Sequence, residues 1–118
     1  MWLTLSPREF ALKAVRLLHE KKASEINLLE VSKVSLIADY FIICEGASKI
    51  QTRAICDHLL DHLPDEGHSL LRLEGYQEAR WILLDYGDLI IHIFQPEDRQ
   101  FYNLKRLWGK AELVSLES

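Results

Sequence analysis

Residues 74–108 read EGYQEARWILLDYGDLIIHIFQPEDRQFYNLKRLW. Two very apolar runs, 80–86 and 88–95, flank Gly87, the pattern of a β-hairpin closed by a tight turn. Pro96 then suits the first turn of a short last helix anchored by Phe101, Tyr102 and Leu104. Trp81, Asp85, Asp88, His92, Arg99 and Tyr102 crowd into this stretch. So much apolar and aromatic surface implies that part is core and part is a docking face.

Upstream, Ser6-Pro7-Arg8-Glu9 opens a helix. Ser6 caps the free amides, Pro7 takes the first helical position and Glu9 completes a capping box. Phe10, Ala14, Leu17 and Leu18 recur at helical spacing to about Lys22. Residues 25–31 alternate as a strand, and 34–38 form a short connection. Tyr40-Phe41-Ile42-Ile43-Cys44 is almost unbroken in its hydrophobicity, as in a central strand covered on both faces. Ser48 caps a second helix carrying Ile50, Ile55, Leu59, Leu60 and Leu63, which ends in 64–67. A strand over 70–74 precedes the hairpin. The order α-β-β-α-β-β-β-α predicts an α/β (α+β) fold: a single mixed β-sheet with packed helices. The expected domain spans 1–110, with a loose tail over 111–118.

At 118 residues, 48% hydrophobic and 27% charged, the chain can bury a core without metals or disulfides. Its apolar runs are strand-sized, well short of the roughly 20 residues that span a bilayer. The opening MWLTLSPREF carries no basic leader, so the expected location is cytoplasmic, with no membrane partner. Cys44 and Cys56 read as small core residues. The net charge of −4 and pI near 5.7 show no basic stripe for direct nucleic-acid binding and suit a basic protein partner instead.

Catalytic signals are weak. No phosphate loop occurs, and Ser48 has no adjacent histidine to activate it. His58 and His62 have metal-ligand spacing but no third ligand close in sequence, so they read as a solvated helix face. His92, among apolar neighbours, reads as a hydrogen-bonded, partly buried residue. Asp85 and Asp88 straddle Gly87; they fit local turn bonding, a partner contact, or a metal pair in a small nucleotidyltransferase or hydrolase. Trp81 shares a strand face with Leu83 and Asp85, opposite Ile82, Leu84 and Tyr86. It is either a half-exposed interface anchor or a core residue beneath the last helix.

From Ser6 to Trp108 the chain resembles the Iojap-like ribosomal silencing factors. The resemblance is carried, in order, by Ala38-Asp39-Tyr40-Phe41-Ile42-Ile43, Glu74-Gly75, Trp81-Ile82-Leu83-Leu84-Asp85-Tyr86-Gly87-Asp88 and His92-Ile93-Phe94. Arg99, Phe101-Tyr102, Leu104 and Leu107-Trp108 follow. The resemblance implies a nucleotidyltransferase-like fold without catalytic carboxylates, cofactor or metal. It implies binding to the large ribosomal subunit at universal large-subunit protein fourteen, blocking of small-subunit association, and repression of translation when nutrients are scarce. The corresponding contact residues would be Trp81, Leu83, Asp85, Tyr86, Asp88, His92, Arg99 and Tyr102. The acidic, lysine-free run 81–98 suits such a partner. A role in large-subunit assembly would use the same face, and a hairpin at the sheet edge invites a weak homodimer.

Overall fold

The computed structural model describes residues 5–33, 35–64, 67–97 and 112–113. Helix α1 (Pro7–Glu20) begins at the expected capping box: Ser6 Oγ accepts from the Glu9 amide at 3.1 Å and Glu9 Oε1 accepts from the Ser6 amide at 2.8 Å. It buries Phe10, Ala11, Ala14, Val15, Leu17 and Leu18. The helix stops two residues before Lys22, which takes a positive φ of 60° and reverses the chain into strand β1 (Ser24–Glu30).

Strand β2 (Tyr40–Glu45) pairs antiparallel with β1. Helix α2 (Lys49–His62) follows, with Ser48 Oγ accepting from the Gln51 amide at 3.1 Å. Strands β3 (Arg72–Glu74), β4 (Trp81–Asp85) and β5 (Leu89–Phe94) complete a mixed sheet with β6 (Glu112–Leu113), in the order β3-β4-β5-β2-β1-β6. The crossover from β2 brings β5 back parallel to it, with Tyr40 opposite Leu89 and Glu45 opposite Phe94. The apolar run of β2 thus lies in the middle as expected, beside β5, and both strands are buried on both faces. Within the segment expected to be a tail, Glu112–Leu113 pairs antiparallel with β1. Of the last helix, the part beyond Glu97 lies outside the described residues.

Both described helices pack on one sheet face. Phe10, Leu18, Ile55 and Leu59 meet Leu28, Ile42, Ile82, Leu84, Ile91 and Ile93 there. Ile50 is a departure from the expected apolar stripe. The buried residues of α2 are Thr52, Ile55, Cys56 and Leu59, and Ile50 lies five residues before Ile55. Five helical steps leave it about 140° away from that position, so it points to solvent. The second sheet face carries Phe41, Ile43, Ile90, His92 and Phe94 in its middle strands and Trp81, Leu83 and Asp85 along β4.

Candidate functional site

The β4–β5 hairpin positions the candidate residues. Gly87 takes φ +89°, and Asp85 Oδ1 accepts from its amide at 2.9 Å. The aspartate therefore bonds its own turn, the simplest of the three readings of Asp85. Among the described residues no cluster of His, Cys, Asp and Glu is arranged to hold a metal ion. His58 is used otherwise: its Nε2 lies 2.8 Å from Glu20 Oε1, tying α2 to α1.

Cross-strand pairing puts Leu83 beside His92 and Trp81 beside Phe94. The Trp81 ring stacks on Phe94 at 5.0 Å, and its Nε1–H donates to His92 Nδ1 at 3.0 Å. An indole can only donate, so Nδ1 must accept and the neutral imidazole carries its proton on Nε2. His92 is buried, and that desolvation pulls its pKa down to about 4. Protonating Nδ1 would also break the bond that orients Trp81. Trp81 itself is half-buried, as are Leu83 and Asp85. One portion of the indole is thus packed and the remainder is exposed on the rim.

This burial predicts a pH dependence. The folded protein keeps His92 neutral, whereas an unfolded histidine takes up a proton below about pH 6.5. The contribution is fully present above that value and is lost as pH falls from about 6.5 to about 4. At its steepest the loss is about 1.4 kcal/mol per pH unit. Urea titrations across this window should show it in the parent and not in His92→Gln.

Two members of the expected contact set are buried in the folded chain. Tyr86 lies on the helix side, edge-on to Phe10 at 5.5 Å, within the core. Burial raises the pKa of its hydroxyl. His92 is buried too, and its Nδ1 accepts from the Trp81 indole. Asp88 stays half-exposed, with Oδ2 3.8 Å from the Nε2 of buried His68, which stacks on Phe10 at 4.1 Å. Sequence reasoning passed over His68 because its polar flanks, Gly67 and Ser69, carry no periodic signal. Arg99 and Tyr102 lie outside the described residues. No described helix is long and apolar enough to cross a membrane.

Fold and site define a small α/β domain with an aromatic, carboxylate-edged hairpin rim at one side of its sheet. The chain belongs to the family "Ribosomal silencing factor during starvation", whose model matches residues 4–118. A relative named "Ribosomal silencing factor RsfS", from Halalkalibacterium halodurans, is 42% identical over 113 residues, covering 96% of this chain and 97% of that protein. A crystal structure from Bacillus halodurans has a TM-score of 0.81 at 38% identity, covering 92% of this chain and 99% of that one. More distant is the mouse "Mitochondrial assembly of ribosomal large subunit protein 1", 31% identical over 97 residues; the match covers 80% of this chain and 42% of the mouse protein.

Proposed function

We propose that this protein binds the large ribosomal subunit through universal large-subunit protein fourteen and sterically blocks joining of the small subunit. Translation is thereby repressed under nutrient limitation, in the cytoplasm, by occupancy and without catalysis. Family membership across 4–118 carries this reading. The half-buried rim of Trp81, Leu83 and Asp85, with Asp88 at the turn, supports it physically. An aromatic anchor bordered by carboxylates suits a basic protein surface. Arg99 and Tyr102 complete the proposed contact set, while His92 holds Trp81 in place. A metal-dependent transferase reading is disfavoured by the use of Asp85 as a turn acceptor. A weak homodimer through the same hairpin would compete with the ribosome for the rim.

The test is sedimentation. The protein should travel with isolated large subunits and move a mixture of both subunits toward the unjoined species. Unchanged joining at saturating protein would refute silencing. The mouse relative, named for assembly of the mitochondrial large subunit, favours a second reading, a factor in large-subunit assembly. In that case binding to large subunits would persist without any effect on joining, and cells lacking the protein would accumulate incomplete large subunits.

A further inference from the structure

Three large apolar side chains stand in solvent at one end of the sheet: Leu36 at 106% relative exposure, Ile37 at 72% and Leu71 at 68%. They sit on a continuous rim. A Cβ placed on Gly87 would lie 3.5 Å from Leu71 Cδ1, and the Leu71 amide donates to the Asp85 carbonyl at 2.7 Å. On the other flank, the Asp39 and Tyr40 amides both donate to the Asp88 carbonyl at 3.0 Å. These two bonds pin the loop holding Leu36 and Ile37 beside the hairpin turn. The Ile37 amide donates to Ser35 Oγ at 3.1 Å, so the loop has local order of its own.

The rim is also acidic. The carboxylates of Glu30, Asp39, Asp85 and Asp88 outnumber the cations Arg8 and Lys33 beside them, and Arg72 is held by Glu74 at 3.1 Å. Adjacent leucine and isoleucine side chains left in water are unfavourable for a solitary domain, so this patch asks for a partner with apolar surface. The carboxylates around it favour a basic partner and repel a nucleic-acid backbone.

We infer that the Leu36–Ile37 loop, with Leu71 across the 85–88 turn, forms a second contact for a basic protein of the large subunit, inserting the two loop side chains into an apolar socket. This rests on the ribosome reading and extends its contact beyond the Trp81 face.

The double variant Leu36→Ser/Ile37→Ser tests it by co-sedimentation with isolated large subunits. Binding should weaken about tenfold or more, with an unchanged melting temperature. Leu71→Ser, outside the loop, keeps the test decisive should the double variant melt low, and it should weaken binding as well. Wild-type affinity in folded variants, alongside a Trp81→Ala protein that binds poorly, would overturn the second contact alone. Failure of the parent protein to sediment with large subunits would overturn the ribosome reading itself. Equally tight binding of the parent to ribosomal RNA stripped of protein would overturn the protein occupant.

Discussion

Trp81→Ala is expected to lose about 2 kcal/mol or more of large-subunit binding, roughly thirtyfold, and about 3 kcal/mol of stability as well. The two losses have different sources. Stability falls because the substitution removes the ring stacked on Phe94 and leaves the buried His92 Nδ1 without the indole donor. Binding falls because the rest of the indole lies on the proposed contact rim. Trp81→Phe separates them: it keeps an aromatic ring over Phe94 and loses the N–H together with part of the indole's area. It should recover most of the binding and only part of the stability. Asp85→Asn is the companion. Its amide oxygen can still accept from Gly87, so the turn survives while the charge is lost. Binding should then weaken and become less sensitive to salt. Melting curves and subunit binding on the same variants check both, and a Trp81→Ala protein that melts and binds like the parent would remove Trp81 from the site.

Gly75→Ala should be at least as severe, at about 4 kcal/mol or more of stability. Gly75 holds φ +80°, and a Cβ there would lie 2.0 Å from the Trp81 carbonyl oxygen. That atom is main chain at the start of β4, so relief requires moving the strand that carries the site. Gly87→Ala is the internal comparison. Its φ is similar at +89°, yet the nearest atom to an added Cβ is Leu71 Cδ1 at 3.5 Å. It should pay only the left-handed backbone strain, about 1–2 kcal/mol. Urea unfolding of the pair measures the difference. Equal losses would mean that strain alone, and not the collision with β4, governs Gly75.

The sequence by itself determined the elements and their centrality. The Ser6–Glu9 box, the Ser48 cap and the turn at Gly87 are local chemistry, readable from a few adjacent residues. The unbroken apolar run Tyr40–Cys44 implied the middle of the sheet, and alternation in β4 marked Ile82 and Leu84 as core. That same alternation put Tyr86 with them, and its burial follows. Only the tertiary structure decided how the rim is built. The bond from Trp81 to His92, the stack on Phe94 and the approach of His68 to Asp88 join residues far apart in the chain. Parallel pairing of β2 with β5 was equally out of reach. Where β2 and β5 are apolar on both faces, periodicity carries no information about which face meets the helices. Exposure of Leu36, Ile37 and Ile50 is likewise set by which surfaces happen to be covered in space, because hydrophobic burial depends on proximity in three dimensions and not on order along the chain.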